Sequence, residues 1–117
     1  MPLCDVHLLG PKGRAQVTTV VDSGAIYSVF PVRAAEDAGL VLPKAMNFTI
    51  QYGGSVGYGR RVRAYIELAL RRWDTEIVFV EKLDLTYGLL GRRGVFGRFN
   101  EVAFLEKVAT PRIELRW

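Results

Sequence analysis

The chain is poor in the residues that make covalent and metal staples. Its 117 residues include one cysteine, Cys4, and one histidine, His7. A lone thiol excludes an internal disulfide and a thiolate metal site built within one chain. His7 has no ligand partner at metal-binding spacing, so neither a metal nor a cofactor is expected. No apolar run approaches the roughly 20 residues of a membrane span. Residues 1–10 carry Asp5 and His7 and lack a basic leading region, so no secretory signal is expected. The simplest setting is a reducing, cytoplasmic one without membrane contact. Repeats, low-complexity tracts and linkers are also lacking, which points to one domain over residues 1–117.

What is present is apolar and basic. Half of the residues are hydrophobic, enough for a real core and against disorder. The formal charge is +4 and the pI about 9.5. The arginines fall in scattered pairs, Arg60-Arg61, Arg71-Arg72 and Arg92-Arg93. They form no helical stripe and do not interleave with aromatics as a nucleic-acid stacking platform does. The reading is a solvated basic surface and no nucleic-acid partner.

Strand patterns dominate. Leu3–Leu8 and Arg14–Val21 read as a hairpin around the turn signal Gly10-Pro11-Lys12-Gly13. Pro31–Gly39 reads as one short helix, with Pro31 at its first position and Gly39 as its stop. Met46–Tyr52 alternates and leads into a glycine-rich hairpin tip, Gly53–Gly59. Arg61–Leu70 alternates again, with Val62, Ala64, Ile66, Leu68 and Leu70 on one face. Arg71–Asp74 reads as a turn and Ile77–Val80 as a buried strand. Arg92–Asn100 has room for one or two helical turns, weakened by Gly94 and Gly97. Val102–Leu105 and Arg112–Trp117 read as closing strands. Short strands with one or two short helices predict an all-β fold, a small closed barrel.

Asp22 is the residue with the most chemistry in it. It ends the apolar run Val20-Val21 and is followed by Ser23, Gly24 and Ala25. A carboxylate at a core edge is costly unless its neighbours manage the charge. Ser23 can hydrogen-bond, and Gly24 lets backbone come close. Taken alone, Asp-Ser-Gly is also an ordinary Asx turn.

Three ordered segments resemble retropepsin-like aspartic proteases, particularly small prokaryotic members. Val21-Asp22-Ser23-Gly24-Ala25, with Val29-Phe30-Pro31 after it, resembles the family's signature and following strand. Gly53–Gly59 falls where the family places its flap. Leu89-Leu90-Gly91-Arg92 is similar to the apolar-apolar-Gly motif before the last helix, and Arg98-Phe99, Val102 and Phe104 extend the likeness. Two departures stand: Ser23 replaces the commoner threonine, and Arg93 stands where small members often carry an acid.

The resemblance implies an aspartic endopeptidase in which Asp22 is catalytic. The chain has one Asp-Ser-Gly. The second aspartate must then come from a second copy, which implies a two-fold homodimer acting on a peptide or unfolded protein. Ser23, Gly24, Ala25, Leu89, Leu90 and Gly91 are implied as supports of the Asp22 loop. Tyr52, Gly53, Gly54, Ser55, Val56, Gly57 and Tyr58 are implied as a substrate-binding flap. Leu3–Leu8 and Arg112–Trp117 are the candidate dimer strands. Arg60, Arg61 and Arg63, near the flap base, point to acidic residues further along the substrate. The alternative is a catalytically weak module of the same fold that holds peptides or serves as a dimeric scaffold.

Overall fold

The computed structural model describes residues 3–22, 24–52, 55–81, 87–99, 101–105 and 112–116. Strand β1 (Leu3–Gly10) and strand β2 (Gly13–Val21) form an antiparallel hairpin in register from Leu3↔Val20 to Gly10↔Gly13. The turn closes on Gly13 at φ 117°, a left-handed backbone that glycine adopts without strain. Strand β3 (Ser28–Pro31) runs directly into helix α1 (Val32–Ala38). Strand β4 (Phe48–Tyr52) pairs with the long strand β5 (Ser55–Leu68), which returns as β6 (Arg71–Val80). The short strand β7 (Gly88–Leu90) precedes one 3-10 turn, Phe96–Arg98. Strands β8 (Glu101–Leu105) and β9 (Arg112–Arg116) pair with each other in a separate two-stranded sheet.

The order β1-β2-β7-β3-β6-β5 closes on itself because β1 also pairs with β5, through His7↔Glu67, Leu8↔Ile66 and Leu9↔Tyr65. The result is a six-stranded closed barrel, from which β4 extends along β5. Closure removes the open edges that an isolated sheet of this length would expose.

The core lies on both sides of one barrel wall. Inside are Val6, Leu8, Val17, Val21, Phe30, Ile66, Ile77, Phe79 and Leu90, with the alanines of α1 packed against them. Outside, between the wall and β4, a second cluster joins Val20, Val29, Ile50, Val78, Val80 and Leu89. Successive side chains of a strand point to opposite faces, so β2, β3, β6 and β7 feed both clusters alternately. That is why Ile77–Val80 shows no alternation: all four are at most 2% exposed.

Several boundaries differ from the sequence expectation. Pro31 ends β3 and caps α1 from outside, at φ −67° and ψ 145°, one place before the expected helix position. Gly39 ends the helix in the left-handed conformation at φ 78°. The expected tip Gly53–Gly59 is mostly strand: Ser55, Val56, Gly57, Tyr58 and Gly59 pair with Tyr52, Gln51, Ile50, Thr49 and Phe48. Gly53 and Gly54 lie outside the described residues. The turn expected at Arg71–Asp74 lies at Ala69-Leu70, both with positive φ, and Arg71 already pairs with Leu68. Leu70 therefore leaves the inward face and is 97% exposed. The helix expected within Arg92–Asn100 is the single 3-10 turn, since Gly94 at φ 76° breaks any longer helix.

Candidate active site

The site begins where β2 ends. Val20 and Val21 run parallel to β7, opposite Leu89 and Leu90. Val29 of β3 pairs with Leu89 from the other side, antiparallel. The three-residue strand β7 is thus gripped between the two strands that the Asp22 loop connects. The loop is tied along this crossing. Asp22 N–H donates to Leu90 O at 3.0 Å, Arg92 N–H to Ala25 O at 2.9 Å, and Arg93 N–H to Ile26 O at 2.8 Å. Gly91 N–H donates to the buried Ser28 Oγ at 3.0 Å.

Only glycine fits at 91. A Cβ there would stand 2.4 Å from Tyr27 O and 2.5 Å from Tyr27 C, inside van der Waals contact with backbone. Leu89 is 7% and Leu90 1% exposed. Leu90 packs inward and Leu89 toward the second cluster, so the pair braces the loop on both faces.

Asp22 is half-buried. Its Oδ1 accepts Gly24 N–H at 2.9 Å, and its backbone O accepts Ala25 N–H at 3.2 Å. This is the Asx geometry of a tight turn, which by itself serves a structural aspartate equally well. Among the described residues no hydrogen bond reaches the second carboxyl oxygen. Ser23 lies outside the described residues. Gly24 is exposed and Ala25 half-buried.

Beside the loop is a cavity of about 310 Å³, lined by Gly24, Ala25, Ile26, Tyr27, Val29, Phe48, Thr49, Ile50 and Leu89. Its floor is the Asp22 loop with β3 and β7, and its wall is β4. Tyr27 and Phe48 meet edge to face, with ring centroids 4.8 Å apart. Two guanidiniums stand on this aromatic pair: Arg61 Cζ is 4.9 Å from the Phe48 ring and Arg93 Cζ 5.4 Å from the Tyr27 ring. Arg93 Nη1 also donates to Tyr27 Oη at 2.9 Å.

The flap set is divided. Val56 is 56% and Tyr58 64% exposed on β5, while Gly57 is half-buried. Tyr52 and Ser55 face each other across the hairpin as backbone partners. Val56, Gly57 and Tyr58 are not among the described residues that line the cavity, whose β4 wall comes from Phe48, Thr49 and Ile50.

The fold has a counterpart among solved structures. EIAV protease complexed with the inhibitor HBY-793 matches over 78% of this chain and 81% of its own, with a TM-score of 0.60 and 19% sequence identity. This chain has a retropepsin-like fold. No protein-family model and no curated protein matches the sequence. In the retropepsin-like barrel, the Asp22 loop and the cavity beside it share the end of β2, β3 and β7.

Sequence reasoning missed the cavity's aromatic pair. Tyr27 and Phe48 sit in a loop and at a strand start, and only folding brings them together. The expected acid-reading arginines are instead engaged by the barrel's own carboxylates. Arg60 pairs with Glu81 at 3.0 Å, Arg61 with Glu76 at 3.2 Å, and Arg63 with Asp74 at 2.9 Å. Cys4 is half-buried, and burial pushes its thiol above the ordinary value, which disfavours a nucleophilic thiolate. Among the described residues no group of three metal-ligating side chains converges, and no helix is long and apolar enough to cross a membrane.

Proposed function

We propose that the protein is a homodimeric aspartic endopeptidase. The observation that carries this reading is the mounting of Asp22. It follows the last residue of β2, is tied to β7 by its backbone, and opens the loop whose next residues, Gly24 to Tyr27, line an apolar cavity of side-chain size. A second copy supplies the opposing Asp22. Two close carboxylates share one proton, since both cannot ionise easily. The ionised one draws a proton from a water molecule, whose oxygen attacks the scissile carbonyl carbon. The protonated one hydrogen-bonds the carbonyl oxygen. The tetrahedral intermediate then collapses, and the leaving amine takes a proton from the pair. The pair acts as a unit, so neither copy owns a fixed role. The β4–β5 hairpin covers an extended peptide and excludes water.

The separate β8–β9 sheet supports the dimer. A two-stranded sheet is marginal alone, and pairing with a second copy would extend it. The other terminal candidate, β1, is built into the barrel by pairing with both β2 and β5.

The Asx bond from Gly24 favours a second reading, in which Asp22 is a turn residue of a peptide-binding module. The two readings separate in one assay. Cleavage of an unfolded protein by the purified chain, with a rate that rises faster than linearly in protein concentration and peaks on the acid side of neutrality, is the expected result. Cleavage by the Asp22→Asn variant at an unchanged rate would assign it to another source.

A further inference from the structure

The arginines around the cavity are not equivalent. Arg60, Arg61 and Arg63 have carboxylate partners. Arg93 has none among the described residues. Its guanidinium instead rests on Tyr27, by a hydrogen bond to the phenol oxygen at 2.9 Å and by stacking at 5.4 Å. A phenol is a neutral acceptor, so it positions the positive charge without cancelling it. Arg93 N–H donates to Ile26 O, which fixes the root of the same side chain. Ile26 and Tyr27 both line the cavity. An exposed cation without a carboxylate partner among the described residues therefore stands at the rim of an apolar cavity.

We propose that Arg93, held in place by Tyr27, is a specificity-determining residue that reads an acidic side chain on a bound peptide while an apolar neighbour fills the cavity. This rests on the reading that the cavity receives a peptide. The cavity interior, with Val29, Phe48, Ile50 and Leu89, suits an apolar side chain. In an extended peptide the side chains two residues apart lie on the same side, roughly 7 Å apart. The acid is thus placed two residues from the apolar anchor. Tyr27 takes one N–H of Arg93, and among the described residues no other side chain takes the remaining donors of the planar fork, which suit a carboxylate.

The test uses peptides with one Phe anchor and either Glu or Gln two residues from it, in separate peptides for each side of the anchor. Cleavage by the full chain is measured as KM and kcat. Binding is measured in parallel on the Asp22→Asn variant by anisotropy of the labelled peptides. On one side of the anchor, the Glu peptide is expected to show a KM and a dissociation constant lower by roughly two- to fivefold, the range of an exposed ion pair. The kcat should be the same for both. The Glu/Gln ratio should fall to one in Arg93→Gln, shrink in Tyr27→Phe, and shrink in high salt. A ratio of one in the parent protein, or a preference that persists in Arg93→Gln, overturns the proposal. Charge-selective binding lost in Arg93→Gln, without cleavage of any peptide, supports the Arg93 assignment and overturns the protease.

Discussion

Val20, Val21, Ser28, Val29, Leu89 and Leu90, which surround the Asp22 loop, are all at most 7% exposed. On the β4–β5 hairpin, Val56 and Tyr58 are 56% and 64% exposed. The loop is tied by hydrogen bonds to β7 and Ser28, whereas among the described residues the outer part of β5, residues 55–59, pairs with β4 alone. The cavity lies between a fixed floor and an open wall. A reacting carboxylate needs a position held to a fraction of an ångström, and a peptide needs a way in. The contrast predicts that changes in the floor alter folding or chemistry, and changes in the wall alter binding.

The largest expected effect separates chemistry from architecture within the floor. Asp22→Asn keeps an oxygen that can accept Gly24 N–H, so stability should stay within about 0.5 kcal/mol. Proteolysis should fall by roughly 10⁴-fold or more, because an amide cannot act as the base. Thermal melting and a peptide-cleavage assay on the same sample check both. Retained proteolysis would sink the role of Asp22.

Next come two purely structural changes in the floor. Gly91→Ala forces a methyl onto the Tyr27 carbonyl and should cost about 3 kcal/mol or more, read from the urea midpoint. Ser28→Ala leaves Gly91 N–H without its buried acceptor and should cost about 1–3 kcal/mol. Neutral outcomes for both would show that the floor is not braced as its bonds imply. On the wall, Tyr58→Ala should change stability by less than about 0.5 kcal/mol. If the hairpin covers substrate, the same variant should raise KM and leave kcat unchanged.

The strands were legible from different signals: β1 and β2 from the turn between them, β4 and β5 from period-two alternation, and the end of β6 from the unbroken apolar run Ile77–Val80. The β5–β6 turn was not. Ala69 and Leu70 both adopt positive φ, yet neither is the glycine or asparagine that normally marks such a turn. The alternation of β5 accordingly read on to Leu70. Closure through β1 and β5 also left no local signal, since it depends on register between strands nearly 60 residues apart. Leu89-Leu90-Gly91 stood out only through its resemblance to a family motif, and the strict steric demand at Gly91 became visible in the fold. Tyr27, Phe48 and Arg93 did not, because each is ordinary alone and acquires meaning only from the other two. Likewise, the sequence showed an arginine-rich surface but not which arginines already had carboxylates beside them.

The smallest expected effect tests whether the barrel seam is independent of both floor and wall. Glu67 of β5 takes Arg72 Nε at 2.6 Å and Arg14 Nη1 at 2.7 Å, beside the β1–β5 closure. The hydrogen bond from Arg72, with the charge of Arg14 as a further cause, holds its carboxyl below the ordinary value of 4.5. Asp74, bonded by Arg63, is lowered in the same way. A carboxylate depressed in the folded state binds fewer protons there than in the unfolded chain. Its stabilising contribution is therefore complete above the unfolded value and is lost as pH falls through the lower, folded one. Thermal midpoints of the parent and Glu67→Gln should differ slightly at about pH 6 and converge by about pH 3. Exposed pairs are weak, so the gap should also narrow in salt. The ratio of Glu to Gln peptide affinity, which depends on Arg93, should not change in Glu67→Gln. A shift in that ratio would mean that the seam and the cavity are coupled, and the contrast between floor and wall would have to include the whole barrel.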